Sequence, residues 1–420
     1  MSKYIINGTN SNFGGTVRIS GSKNAALPIM AASMLSDEDT ILDNIPCLSD
    51  TETMLKIIRA SGGTAERDNH NSVHISLKKP KKKNKPDYEL YSKLRGSVLV
   101  MSPILARFGH VKLPLPGGCK IGARPIDLHL KGFSAMGAKI KQGHGFVEVS
   151  CKDGLKGAKI YLDFPSVGAT ENIMIAATLA NGSTIIENAA EEPEIVDLAH
   201  FLCEMGADIS GEGTDTVIIK GVPRLHKTNH SIIPDRIEAG TFLICGAVTG
   251  GGITLENAEP NHLKPLLAKL GEMGCDYNTS NGSIILTPGG RPKSVDIKTM
   301  PYPGFPTDLQ AQIMSLLTIA DGNGMVVETI FENRFSHIPE LCRMGAKIKT
   351  EGNAAFIEGV PKLSGADVKA TDLRAGAALT AAAIKASGTS EIHDIAHIER
   401  GYENFVDKLR SLGVEIDVKE

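Results

Sequence analysis

The sequence predicts an α/β protein of two domains, each assembled from three copies of one repeated unit. Three observations carry this. A helix ending in a small-residue tripeptide and followed by a short strand recurs as ASGGTAE, SAMGAKI, CEMGADI, GEMGCDY, CRMGAKI and RSLGVEI. Its marker glycine falls at Gly62, Gly137, Gly206, Gly274, Gly345 and Gly413, at separations of 75, 69, 68, 71 and 68 residues. Self-similarity at a near-constant period is the mark of a repeat architecture. Upstream of each copy lies an unusually apolar segment, then a strand ending in a pattern such as LDN, IEN, LEN or VET. At 420 residues the chain also exceeds what one core usually supports, and six units divide most simply as three and three.

The apolar segments are read as helices over Asn24 to Leu35, Arg95 to Arg107, Gly168 to Ala180, Glu238 to Thr249, Asp308 to Ala320 and Leu373 to Ala386. Stretches such as GATENIMIAATLA are apolar nearly all round, which in a soluble protein means burial on every side. The marker helices carry charge on one face and belong outside, each closed by its glycine. One unit is therefore buried helix, strand, outer helix, then a short strand or hairpin. The polar stretch Pro223 to Ile233 is the expected linker, giving one domain over 21–229 and a second over 230–420 joined by residues 1–20, which precede the first unit.

The units differ in one place. From the middle residue of the strand-end pattern to the marker glycine the distance is 17 to 20 residues in five units, but 25 from Lys112 to Gly137. The insertion contains Pro114 to Asp127, PLPGGCKIGARPID, and loops that depart from a repeat tend to carry function. Cys119 follows Gly117-Gly118 beside Lys120, with Arg124 close behind. Nearby cations favour a thiolate, so this thiol is expected to ionise below the usual value of about 8.5. A cysteine in a turn can also be just a small apolar residue; the glycines, prolines and cations argue for exposure instead.

The starts of the buried helices point to an anion. Each helix N-terminus offers about half a positive charge and free N–H groups. The residues there are Ser22-Lys23-Asn24, Lys93 with Arg95, Ser166 with Gly168 and Thr170, Asp235-Arg236 with Glu238, Thr307-Asp308, and Asp372 with Arg374. Capping accounts for Ser, Thr, Asn and Asp. It does not account for Lys23, Arg95, Arg236 or Arg374, which oppose the dipole, and an anionic ligand compensates both. With Arg334, Arg400, Lys120 and Arg124 on loops, the cations suit a phosphate and a carboxylate together in a cleft between two domains.

Other classes are disfavoured. The 45 basic and 48 acidic residues give a net charge of −3, which offers no case for binding nucleic acid or a membrane surface. Without interleaved aromatics, the lysine-rich stretch Lys78 to Lys85 is expected to be a solvated loop. Seven cysteines, with no CxxC or Cys/His cluster, suit a reducing cytoplasm and no structural metal. Cys203, Cys245 and Cys342 are expected to behave as small apolar residues. The N-terminus lacks a leader pattern, and no apolar run approaches a membrane span. No GxGxxG after a strand, GxxxxGK or HExxH is present, so no cofactor and no metal are expected. Protein partners are not legible.

The same residues resemble the enolpyruvyltransferase family. The resemblance runs over essentially the whole chain: GSKNAALP at 21–28, LRGS at 94–97, PGGCKIGARPIDLH at 116–129, SVGAT at 166–170, AAEEPEIVD at 189–197, YPGFPTDLQAQ at 302–312, FENRF at 331–335, DLRAG at 372–376 and IERGYE at 398–403. It implies two domains of three βαβαββ-type units, an inside-out α/β barrel with buried parallel helices, closing over substrate. It implies transfer of the enolpyruvyl group of phosphoenolpyruvate to the 3-hydroxyl of UDP-N-acetylglucosamine, with release of phosphate, in peptidoglycan synthesis. By motif position, Lys23 and Asn24 contact phosphoenolpyruvate, and Arg124, Arg374 and Arg400 hold its phosphate and carboxylate. Cys119 protonates the methylene carbon and is the residue that fosfomycin alkylates. Asp308 is the complementary base, with Lys23 and Arg400 also catalytic. Arg95, Arg124, Pro125, Ile126, Asp127, Leu128, Ser166, Val167, Gly168, Asp308 and Ile330 bind the nucleotide sugar, and Arg334 engages on closure. One departure is Phe164, where some members carry lysine two residues before SVGAT. Two alternatives stay open: enolpyruvyl transfer to shikimate 3-phosphate, and a non-catalytic nucleotide-sugar sensor.

Overall fold

The computed structural model describes residues 2–9, 11–68, 71–80, 88–115, 126–143, 145–280 and 282–419. The inserted segment 116–125, with Cys119, Lys120, Arg124 and Pro125, and most of the lysine-rich stretch lie outside them. Two compact bodies result, with chain crossings at 20/21 and 233/234, and each has its own apolar core.

The apolar segments are helices buried on all sides. Arg236–Thr249 buries every residue from Ile237 to Val248, and Leu373–Lys385 buries Arg374 to Ile384. Val167–Ala177 buries Ala169 to Ala177, and Lys23–Ala32 leaves only Asn24 partly open. The other two begin with a tighter turn, Arg95–Val100 before Met101–Phe108 and Thr307–Leu309 before Gln310–Leu317. Ala, Gly, Ser and Thr are frequent in these helices because close helix approach leaves little room for a side chain. A Cβ on Gly240, for example, would stand 2.5 Å from Leu309 Cδ1.

Each unit turns on its marker glycine. All six have left-handed φ, from 85° to 106°, which a Cβ disfavours. The strand-end pattern has an equally local reason. Asn44, Asn188 and Asn257 follow their strands with φ of 53° to 57°, a region asparagine tolerates. Their side-chain amides donate to the carbonyls of Ile232, Leu162 and Ile19 in the adjacent segment. LDN, IEN and LEN therefore encode a strand end stitched to a parallel neighbour.

That neighbour is the element the sequence did not reveal. Five sheets have four strands, and in each a short strand pairs in parallel with the strand that follows a buried helix. Lys159–Tyr161, Ile297–Lys298 and Asp367–Lys369 are two or three residues long, too short for any periodicity. The sheet of the inserted unit has three described strands, in the order His110–Pro114, Phe146–Ser150, Lys139–Gly143.

The expected linker is corrected by the same pairing. Asn229–Ser231 joins the first body's sheet alongside Thr40–Asp43, so this body runs to 233 rather than 229. Residues 1–20 belong with 234–420: Lys3–Asn7 lies between Thr389–His393 and Ile416–Lys419, and Gly15–Arg18 pairs with Ile253–Glu256.

An imidazole fixes the strand that replaces the linker. His230, buried, bridges Asp197 Oδ1 at 3.0 Å and Glu204 Oε2 at 2.9 Å, and its ring meets Phe201 edge-on at 5.5 Å. Burial opposes its charge, but the hydrogen bonds and charges of Asp197 and Glu204 outweigh burial and raise its pKa. A raised folded pKa gives stability that is complete below the unfolded value of about 6.5 and lost as pH rises through the folded value. His230→Gln is expected to lower the melting temperature at pH 6 and much less at pH 9, as thermal melts of both proteins at the two pH values would show.

Among the described cysteines, Cys245 is buried, with its thiol pushed up to about 12 by burial. Cys203 and Cys342 are exposed, contrary to the expectation of an apolar role. Both sit on the outward side of the helix turn before the marker glycine.

Candidate functional site

In the first body, the helix starts gather the sequence candidates. Ser22 caps Lys23–Ala32, its Oγ accepting from Ala25 N. Lys23 is buried, and its Nζ lies 3.2 Å from Asp50 Oδ2, in the first turn of the outer helix Ser49–Ser61. Half-buried Asn24 follows. The cation opposing this helix dipole thus has an internal carboxylate partner. Asp50, 27 residues away in sequence, supplies this partner.

Ser166 caps Val167–Ala177, and Ser166, Val167 and Gly168 are half-buried. His129 flanks this start: a Cβ on Gly168 would stand 3.2 Å from His129 Cε1. Burial, then the nearby charge of Arg95, pushes the His129 pKa down to about 4, so the ring is neutral. Its Nδ1 accepts from Asn172 Nδ2 at 2.6 Å, which leaves the proton on Nε2. Ile126 is buried, Asp127 exposed and Leu128 half-buried at the start of Asp127–Ala135. Beneath them Glu171 is buried, and its pKa is raised by burial and then by Glu194 and Glu192.

In the second body the candidates form one connected network. Asp308 accepts from Arg334 Nη2 on Oδ1 at 2.6 Å and from Arg374 Nη2 on Oδ2 at 3.0 Å. Both arginines are buried. Burial works against the charge on Arg374, but Asp308, Tyr402 and Asp235 together outweigh it and raise its pKa, so this guanidinium is held charged. Arg334 lies over the Phe331 ring at 5.5 Å. It was expected to engage on closure, yet here it already holds Asp308. Arg236 is covered by Tyr302 at 5.6 Å.

Secondary contacts fix this carboxylate. Glu328, the middle residue of VET, accepts from Thr307 Oγ1, Thr299 Oγ1 and the N–H groups of Ile330 and Phe331. That ties half-buried Ile330 to the turn bearing Asp308. Half-buried Arg400 ends the short helix Ala396–Glu399.

Such a set of groups suits acid–base chemistry on an anionic substrate. Two buried arginines can pair bidentately with phosphate or carboxylate, and a carboxylate between them can exchange a proton with a hydroxyl. Asp50, His129 and Tyr402 were not legible as site residues. His129 and Tyr402 lie within quoted motifs and Asp50 within none, and the partners of all three come from other helices. No helix in the described residues is long and apolar enough to cross a membrane.

The model of the family described as EPSP synthase (3-phosphoshikimate 1-carboxyvinyltransferase) matches residues 8–409. The chain is 56% identical over 402 residues to UDP-N-acetylglucosamine 1-carboxyvinyltransferase 1 of Caldanaerobacter subterraneus subsp. tengcongensis, covering 96% of each. It is 54% identical over 420 residues to UDP-N-acetylglucosamine 1-carboxyvinyltransferase 2 of Carboxydothermus hydrogenoformans, covering 99% of each. Among solved structures, the enolpyruvyl transferase NikO from Streptomyces tendae superposes with a TM-score of 0.88 at 24% identity, over 100% of this chain and 99% of that one.

Proposed function

The chain belongs to the EPSP synthase family, the enolpyruvyltransferases, and from that premise we propose how its residues carry the reaction. It is a transferase that moves the enolpyruvyl group of phosphoenolpyruvate to the 3-hydroxyl of UDP-N-acetylglucosamine, releasing phosphate, in peptidoglycan synthesis. The observation that carries this is identity of 54–56% over nearly the whole length of relatives named for that acceptor.

The chemistry is an addition followed by an elimination. Cys119 delivers a proton to the methylene carbon of phosphoenolpyruvate while the sugar oxygen bonds to the adjacent carbon and Asp308 takes the hydroxyl proton. Removal of a proton from the new methyl group and cleavage of the carbon–oxygen bond to phosphate then restore the double bond. Lys23, Asn24, Arg124, Arg374 and Arg400 hold the donor's phosphate and carboxylate and stabilise the charge of the tetrahedral intermediate. Arg95, Arg124, Pro125, Ile126, Asp127, Leu128, Ser166, Val167, Gly168, Asp308 and Ile330 bind the nucleotide sugar, the Val167–Ala177 helix start favouring its diphosphate. Neutral His129, beside Arg95 and Gly168, can offer this helix start an N–H donor from Nε2 but no charge. Arg334 orients Asp308. A cytoplasmic setting fits the six described cysteines, which form no disulfide with one another.

Phosphate release measured with each acceptor tests the reading. Turnover is expected with UDP-N-acetylglucosamine and not with shikimate 3-phosphate; the reverse would overturn it, and binding of the sugar without product would favour a sensor.

A further inference from the structure

The start of the Leu373–Lys385 helix holds a buried network that the reaction scheme leaves unused. Tyr402, only 2% exposed, places its hydroxyl 3.2 Å from Arg374 Nη1, 3.2 Å from Gln312 Nε2 and 2.9 Å from Thr241 Oγ1. The three buried helices of this body contribute one residue each. Thr241 comes from Arg236–Thr249, Gln312 from Gln310–Leu317 and Arg374 from Leu373–Lys385.

The donor inventory fixes the direction of the bonds from nitrogen, those of Arg374 to Tyr402 and of Gln312 to Tyr402 and Thr241. Arginine and the amide nitrogen can only donate, so the Tyr402 oxygen accepts from both. Its own proton goes to Thr241 Oγ1, whose proton goes to the Ile237 carbonyl at 2.8 Å. Gln312 Nε2 also reaches the Asp308 carbonyl at 3.0 Å, tying the backbone of the proposed base to the same hub. Burial, foremost, raises the Tyr402 pKa, so the phenol keeps its proton. The ring stacks on Phe405 at 4.8 Å and lies 5.8 Å from the Arg374 guanidinium carbon.

We propose that Tyr402 is a positioning residue for phosphoenolpyruvate: its buried hydroxyl holds one edge of the Arg374 guanidinium, leaving the edge now on Asp308 to meet the donor's anionic group. This rests on the donor role assigned to Arg374 above. The split is visible in the arginine itself, with Nη1 on Tyr402 and Nη2 on Asp308. An anion that displaces Asp308 from Nη2 leaves the Nη1 bond intact, so the arginine need not reorganise and the carboxylate is released to act on the hydroxyl.

Tyr402→Phe retains the ring and its packing on Phe405 and removes the hydroxyl, both the oxygen that accepts from Arg374 and the proton given to Thr241. Steady-state kinetics with whichever acceptor supports phosphate release should show the KM for phosphoenolpyruvate raised about tenfold, as expected for a lost hydrogen bond to a charged group. The KM for the acceptor should stay within about twofold. Ser315→Ala, which removes a buried hydroxyl bond to the Ala378 carbonyl in the same helix cluster, controls for stability alone and should leave both KM values in place. An unchanged donor KM in Tyr402→Phe, a parallel rise in both KM values, or the same rise in Ser315→Ala would each overturn the proposal. The wild-type acceptor profile decides the acceptor separately, so the two inferences fail independently.

Discussion

Cys119→Ala lowers kcat by about 10³-fold or more and leaves the affinity for UDP-N-acetylglucosamine within about threefold of the wild type. The thiol is assigned to proton delivery, and removal of a positioned acid typically costs 10²–10⁴-fold. It is not assigned to hold the sugar, so calorimetric titration with the nucleotide sugar should hardly change. Phosphate release near the wild-type rate in the variant would refute the acid role. Fosfomycin labelling gives a second readout. Cys47, Cys203 and Cys342 are exposed, so accessibility is not what selects a target. Intact-mass and peptide analysis should place the adduct on Cys119 alone. Modification of Cys203, whose thiol is pushed up by burial and lacks a cation among the groups that shift it, would contradict the argument from neighbouring charge.

Asp308→Asn is expected to lower kcat by about 10³-fold through loss of the base. The amide keeps the shape of the carboxylate and one acceptor oxygen, but it leaves Arg334 and Arg374 without the charge that now faces them. Donor binding therefore separates the two functions of this residue. If Asp308 competes with phosphoenolpyruvate for Arg374, the variant holds the donor at least as tightly as the wild type while turning over far more slowly. A parallel loss of kcat and donor affinity would mean that the carboxylate only builds the arginines' shape. Single-turnover phosphate release and donor titration together read both quantities.

Much of this architecture can be read from residue patterns because each pattern has a local cause. Marker glycines report a left-handed backbone, and the asparagines of LDN, IEN and LEN report another left-handed residue with an amide bond to spare. Helices without a polar face report burial. The parallel edge strands are not legible because two or three residues carry no period, and Asn229–Ser231 reads as linker because its outward residues are polar. The site divides in the same way. Motif positions named Lys23, Asp308, Arg334 and Arg374, but their partners follow from tertiary packing: Asp50 lies 27 residues from Lys23, and Asp308 lies 66 from Arg374. At Lys23 the fold adds a carboxylate partner that no motif reveals. Only the structure shows that Asp308 is already held by two arginines.

The position of Lys3–Asn7 has a consequence for synthesis. This strand is interior to its sheet, flanked on both sides by segments from the last 32 residues of the chain. Synthesis therefore produces this strand long before either of its partners. Every described strand within residues 21–233 has its partners in the same span, so this body can condense while translation continues. Non-local pairing of this kind is slow, so Lys3–Asn7 stays unpaired until Thr389–His393 and Ile416–Lys419 have been made.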